Sequence, residues 1–500
     1  MTKHIFITAL LLSPMCLSAQ SVTRYVTTEG AEWKSSKTSL SSSPSGKTVV
    51  TVDTKQAGVP FVAWGTTFNE LDLDAFSLVS AQEQEEVMKN LFDPEGDLRF
   101  SRGRVSMNAN DYARAWYQCD SVAGDFELRY FNIEHDKQNI IRLAKAAQKY
   151  RKDLSLWVSP WSPPSWMKIN QDYPVLPSKY NNLDPRKASL LYMDDGHEVD
   201  EDEMKLLGDR DNVYPRRLAT QDYFIQDPRY LQAYADMFCK FIDLYAAEGL
   251  PISKVMYQNE AYSYTPYPGC AWTAEGTVRF NTQYLAPTLK KRHPEVELWI
   301  GTFNTNRLDY VEKILDDEAM QKCGIVGVGT QWECRNNLPQ MRERYPNWHF
   351  MCSESECGNG DMDWKAGEHT FFLLADNLGN GCDEYYNWNF MLCDHGESAW
   401  GWKQNGLIHV DSQTHAMRYT PEYFAYKHFS HFVAPGDEMV GYSGREYSDS
   451  PVVVYRSGNK YTVVAGNFTD KAVKQSVKIG RRYLNISTKP HSFNTYIVEL

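Results

Sequence analysis

The sequence predicts an α/β chain, a (β/α)8 TIM barrel with a side β-sandwich built from both chain termini. Three observations carry that prediction. Eight short apolar or β-branched runs each lead into a segment of helical periodicity. These units fill roughly 330 residues, the span of a barrel with insertions. After Pro435-Gly436 the pattern changes to strand signals alone. A chain of 500 residues also exceeds what one hydrophobic core supports, so an accessory domain is expected.

Taken in order, residues 1–19 read as a signal peptide: Lys3 and His4, an apolar stretch over 5–12, and cleavage after Ala19. Met15 stands before Cys16 where a lipid-anchoring box needs a small residue, so a lipid anchor is disfavoured. Residues 20–60 form a lead-in and the N-terminal part of the sandwich. The Ser/Thr-rich stretch 35–45 reads as flexible, with order beginning at the run Thr48-Val49-Val50-Thr51-Val52. The barrel is expected over 61–432, with strands at 61–64, 98–105, 154–159, 253–258, 297–303, 325–331, 348–353 and 383–389. Helical periodicity fills 139–150, 230–248, 280–292, 310–318 and 367–379. A doubly wound sheet is the alternative, but Gly327-Val328-Gly329 lacks the third glycine of a nucleotide-binding turn. Residues 433–500 carry the sandwich strands 452–455, 461–465, 473–479 and 493–498, with the Thr48 to Val52 region expected to supply a missing strand.

Composition excludes several partners. Asp+Glu 64 against Lys+Arg 52 gives a net charge of −12, so the positive face that a phosphate backbone requires is not expected and no nucleic-acid partner is implied. No stretch after the signal segment is long and apolar enough to span a membrane. Removing Cys16 from ten cysteines leaves an odd number, without Cys-x-x-Cys pairs or zinc spacing. They read as small core residues, and no metal or other cofactor is implied. The acidic run 194–203 does not fit a calcium loop and reads as a solvated insertion over the barrel mouth. An aromatic share of 13%, with 14 Trp and 31 Tyr, supplies flat apolar faces with polar edges, suited to stacking on sugars.

Reactive groups of a barrel gather where its strands end. Strand four ends Gln258-Asn259-Glu260, and strand seven ends Ser353-Glu354-Ser355-Glu356-Cys357-Gly358. A carboxylate at the end of an apolar strand is costly without partners, so two such ends point to chemistry rather than to rim ion pairs with arginines. Across a barrel mouth, a pair about 5–5.5 Å apart suits double-displacement glycoside hydrolysis, one carboxyl a proton donor and the other a nucleophile. Strand parity puts Glu354 and Glu356 on one side. Glu354 is preferred, since the apolar strand runs straight into it and Gly358 signals an earlier turn. Arg104 is placed to hold the nucleophile. Asn259 can hydrogen-bond a sugar 2-hydroxyl, and Asp111, Trp161, Trp332, Trp388 and Asn389 can form a sugar-sized cup.

These residues sit in longer motifs: Arg104 to Asp111 as Arg-Val-Ser-Met-Asn-Ala-Asn-Asp, Ser159-Pro160-Trp161-Ser162-Pro163-Pro164-Ser165-Trp166-Met167-Lys168, and Tyr257-Gln258-Asn259-Glu260. Others are Thr330-Gln331-Trp332, Met351-Cys352-Ser353-Glu354, Tyr386-Asn387-Trp388-Asn389 and His428-Phe429-Ser430-His431-Phe432-Val433-Ala434-Pro435-Gly436. In these motifs the chain resembles glycoside hydrolase family 30, which includes lysosomal glucosylceramidase. The resemblance implies Glu260 as general acid/base, Glu354 as nucleophile and a sandwich formed from both termini. Ala261 and Glu333 depart from relatives, which often carry Pro and Tyr there; that Tyr helps position the nucleophile.

No Gly-x-Ser-x-Gly elbow and no His-Glu-x-x-His motif occurs, and the His428/His431 pair reads as structural. The expected function is a secreted retaining β-glycoside hydrolase acting on β-glucosyl linkages, such as β-1,6-glucan or a glucosylceramide-like β-glucoside. Its partner is a β-linked oligo- or polysaccharide or glycoconjugate. β-Xylosides, β-fucosides and β-galactans are the alternatives within the family, and a non-catalytic carbohydrate-binding barrel is the alternative outside catalysis.

Overall fold

The structure is a computed structural model that describes residues 21–53, 55, 57–184, 221–263, 265–444 and 448–500. The expected signal segment and the acidic run 194–203 lie outside the described residues.

Order begins well before residue 48. β1 (Ser21–Thr28) and β2 (Ala31–Ser39) form an antiparallel hairpin, so half of the stretch read as a flexible lead-in belongs to a strand. β2 lies at a sheet edge and exposes most of its side chains, which leaves no apolar alternation to read. β3 (Lys47–Val52) and β4 (Val59–Pro60) complete the N-terminal contribution to the sandwich.

The eight apolar runs become the eight parallel strands of a closed barrel: β5 (Ala63–Thr67), β6 (Arg102–Ser106), β7 (Ser155–Ser159), β8 (Ile252–Val255), β9 (Glu297–Phe303), β10 (Ile325–Gln331), β11 (His349–Glu354) and β12 (Glu384–Asn387). Helices cover the outside and side chains fill the inside, so nearly every strand position is buried. Trp157, Met256, Trp299, Met351 and Tyr386 form a cluster of their own, apart from the large core beneath the helices. At the floor of the barrel Lys254 Nζ lies 2.5 Å from Glu384 Oε1 and 3.2 Å from Glu297 Oε2. Tyr386 donates its hydroxyl to the other Glu384 oxygen at 2.8 Å.

A small sheet of β13 (Met391–Cys393), β14 (Ile408–Val410) and β15 (Met417–Tyr419) follows β12; strands of three residues carry too little pattern to be read. The sandwich adds β16 (Glu438–Ser443), β17 (Val452–Ser457), β18 (Lys460–Asn467), β19 (Val473–Ile479), β20 (Arg482–Thr488) and β21 (Ser492–Glu499). β16 and β20 escape the sequence reading because neither forms a continuous apolar run: β20 alternates buried Leu484 and Ile486 with polar neighbours, and every position of β16 is only half-buried. One sheet runs β2-β1-β21-β18-β17-β16-β4 and the other β20-β19-β3, enclosing Val50, Val452, Val463, Val477, Ile486 and Tyr496.

β1 pairs antiparallel with β21, which brings the two ends of the described chain together. The helix Pro421–Ser430 bolts this seam to the barrel through His428, whose Nδ1 and Nε2 each lie 2.9 Å from a threonine hydroxyl, Thr495 on β21 and Thr27 on β1. Burial pushes the His428 pKa down to about 3, so the ring is neutral. Thr495 gives its own proton to the His428 carbonyl, so Nδ1 is the donor and Nε2 accepts from Thr27. The nine described cysteines form no disulfide, and seven of them are buried. No helix among the described residues is long and apolar enough to cross a membrane.

Candidate active site

Arg104, the third residue of β6, is the hub of the barrel mouth and is completely buried. Its guanidinium lies 4.8, 4.3 and 5.4 Å from the rings of Trp157, Trp161 and Trp388, an indole box that fixes the planar cation. From there Nη1 donates to Glu354 Oε2 at 2.5 Å, Nη2 to Asn259 Oδ1 at 2.7 Å, and Nε and Nη2 to Ser159 Oγ. Gln331 Nε2 bridges the same two acceptors, 3.0 Å from Glu354 Oε2 and 3.1 Å from Asn259 Oδ1. Thr302 adds a third donor to Asn259 Oδ1 at 3.0 Å, which settles the orientation of that amide.

The ends of β8 and β11 therefore present their carboxyl groups differently. Glu354 is held by one cation and one amide, both on Oε2, and Oε1 receives no hydrogen bond from a described residue. Glu260 has no cation in contact: Ser263 Oγ donates to its Oε2 at 2.7 Å, and its own N–H goes to Thr302. Burial raises the Glu354 pKa while Arg104 and Gln331 pull it back. Burial, then the Glu354 charge, push Glu260 up to about 8. Of the two, Glu260 is the group that carries a proton at neutral pH.

Asp111 faces the same space, 5% exposed, with Oδ1 buried and without a described partner. Burial and the Glu354 charge drive its pKa well above the ordinary carboxyl range. Trp161 and Trp388 stack on each other, centroids 5.1 Å apart, and the Trp388 Nε1 is buried without a described acceptor. Trp332 sits partly buried at the edge of the aromatic cluster they share with Tyr112, Tyr267 and Trp400. The Asn389 amide is spent in the wall behind, accepting from Asn69 at 2.9 Å and donating to Gln404 at 2.8 Å.

Glu356 is elsewhere. A bulge at Ser353 matches Thr330 with Cys352 and Gln331 with Glu354, and β11 ends at Glu354, so strand parity does not extend to Glu356. Glu356 lies beyond it, paired with Arg335 at 2.5 Å and His369 at 2.9 Å, and these partners lower its pKa. Glu333 is exposed to solvent. Glu260 and Trp332, at φ 45° and 46°, hold left-handed backbone that no sequence pattern announces for such residues. Ser159, Gln331, Thr302, Ser263 and Asn304 were not singled out from the sequence, although the first three stand in or at the ends of strands where the barrel rule places function.

The family model for the "Glycosyl hydrolase family 30 TIM-barrel domain" matches residues 62–176 and 224–433. Putative glucosylceramidase 1 of Caenorhabditis elegans is 24% identical over 419 residues, 80% of this chain and 72% of the relative. Among solved structures, SrfJ of Salmonella typhimurium is 18% identical with a TM-score of 0.79, covering 96% of this chain and 100% of its own. The endo-β1,6-glucanase BT3312 is 19% identical with a TM-score of 0.74, covering 96% and 99%. The family match spans more than half of the chain and contains every residue of the Arg104 network: the chain is a glycosyl hydrolase and belongs to family 30.

Proposed function

We propose that this hydrolase works by double displacement with retention of configuration, Glu354 as nucleophile and Glu260 as acid/base. The observation that carries the reading is the unequal support of two buried, electrostatically coupled carboxyl groups. Glu354, fixed through Oε2, attacks the anomeric carbon with Oε1; the glycosidic bond breaks as Glu260 gives its proton to the departing oxygen. The glycosyl ester then yields to water, whose proton returns to Glu260 as its oxygen displaces Glu354. Asn259, Asp111, Trp161, Trp332 and Trp388 hold the sugar, with the buried Asp111 Oδ1 and Trp388 Nε1 as partners for hydroxyl groups.

The substrate is a β-glucosyl linkage, such as that of β-1,6-glucan or a glucosylceramide-like β-glucoside. The glucosylceramidase and endo-β1,6-glucanase names among the similar proteins support it. Export is supported by the apolar stretch and cleavage pattern before Gln20. Proton NMR of the first-formed sugar tests the mechanism: the β-anomer is expected from a β-linked substrate, and the α-anomer overturns it. Release from chromogenic β-glucoside, β-xyloside and β-fucoside and from a panel of β-glucans and β-galactans tests the sugar. N-terminal sequencing of the protein recovered outside the cell, expected to begin at Gln20, tests export.

A further inference from the structure

We propose that Ser263 and Asn304 form a relay that confines the Glu260 proton to Oε1 and eases its loss, so that the same carboxyl can serve as acid and then as base. The inference rests on the acid/base reading of Glu260. Asn304 Nδ2 lies 2.6 Å from Ser263 Oγ, which in turn lies 2.7 Å from Glu260 Oε2. An amide nitrogen has only protons to offer, so Ser263 Oγ accepts from Asn304 and its single hydroxyl proton must point at Glu260. Asn304 is also hydrogen-bonded to the Glu260 carboxyl itself, so turning the amide over would set its carbonyl oxygen against a carboxylate. With Oε2 already facing a locked donor, a protonated Glu260 carries its hydrogen on Oε1.

The relay is built into the backbone. Ser263 N–H closes a turn onto the Glu260 carbonyl at 3.0 Å, Glu260 N–H is anchored on Thr302 Oγ1 at 3.1 Å, and Asn304 follows one residue after the end of β9. Ser263 is 3% exposed and Asn304 8%, so bulk water does not compete. The charged and titratable groups facing Glu260 are Glu354 at the end of β11, which opposes its ionisation, Arg104 on β6, which favours it, and Asp111 after β6 and Cys357 after β11, whose own pKa values burial and the nearby carboxyl groups drive up. Donors from Ser263 and Asn304 add to the Arg104 side of that balance. Without them, burial and Glu354 would keep Glu260 protonated and leave the second displacement short of its base.

The test is a carbon-13 NMR titration of carboxyl-labelled glutamate in the full chain, the Glu260 signal being identified by its loss in Glu260→Gln. Ser263→Ala is expected to raise the Glu260 midpoint by about one pH unit, the size of one hydrogen bond to a charged group. Asn304→Ala, which frees the hydroxyl to turn, should raise it by less, and Ser263→Thr should restore it. A midpoint unchanged in Ser263→Ala overturns the relay; should that variant fail to fold, an unchanged midpoint in Asn304→Ala overturns it equally. The acid/base reading is judged separately, by azide rescue of Glu260→Ala on a dinitrophenyl β-glucoside. Failure of that rescue leaves the titration result standing, and an unmoved titration leaves the rescue standing.

Discussion

Two buried cation–carboxylate pairs share this barrel, Arg104 with Glu354 at the mouth and Lys254 with Glu384 at the floor. Both are 2.5 Å long, both carboxylates stand on adjacent strands, and all four side chains are at most 8% exposed. The use of the oxygens separates them. At the floor each Glu384 oxygen has its own donor, Lys254 on one and Tyr386 on the other, so the group is satisfied and inert. At the mouth both donors fall on Oε2 of Glu354 and Oε1 is left over. A buried ion pair therefore does not mark a reactive site; the unspent lone pairs of one oxygen do.

Four substitutions probe this contrast. The largest effect is expected at the mouth: Glu354→Gly should cut kcat on the order of 10⁴-fold or more on every substrate while the circular dichroism spectrum stays that of the wild type. Its counterpart Glu384→Ala should cost about 3 kcal/mol of stability in a denaturant titration, because Lys254 keeps only Glu297, yet leave kcat per folded molecule near wild type. A comparable loss of kcat there would erase the distinction between the two pairs.

A smaller effect is electrostatic. The catalytic profile kcat/KM should fall at high pH as Glu260 loses its proton near its pKa of about 8, and at low pH as Glu354 gains one. Replacing Glu354 by Gln removes the negative charge that raises Glu260, so the Glu260 midpoint should move down by about one unit. A midpoint that stays or rises in the NMR titration would mean that the carboxyl groups do not face each other. The smallest effect is expected from Glu356→Ala, which breaks the pairs with Arg335 and His369. Activity should stay within about threefold and stability fall by roughly 1 kcal/mol. Inactivation of a folded Glu356→Ala protein would reassign the nucleophile.

The barrel was legible because its strands are buried on both faces and read as apolar runs, and the ends of those runs name Arg104, Glu260 and Glu354 directly. What stayed hidden was set by local geometry. The bulge at Ser353, directly before Glu354, has no sequence signature, since Ser353 fits a regular strand as well as a bulged one. Asn389 reads as part of the cup by its place beside Trp388, and only packing shows its amide used up by Asn69 and Gln404. β2 was missed because an exposed edge strand has no periodic apolar face, and β1, though paired on both sides, because its buried residues Val22 and Thr27 do not share a face. The neighbour of β1 in the sheet, β21, buried along most of its length, was read without difficulty.

That pairing has a consequence for how the chain comes into being. Arg24 on β1 and Asn494 on β21, 470 residues apart, meet at 2.8 Å, and between them the entire barrel is synthesised. β1 emerges long before its neighbour β21, so the β1–β2 hairpin waits with one backbone edge open until the barrel is built. The long separation makes this a slow, late contact. Because His428 takes a threonine from each of the two strands, the barrel receives its seal only from a chain that has been made through β21. A product truncated before β21 is left with an uncovered strand edge, the feature by which quality-control proteases and aggregation both select their targets.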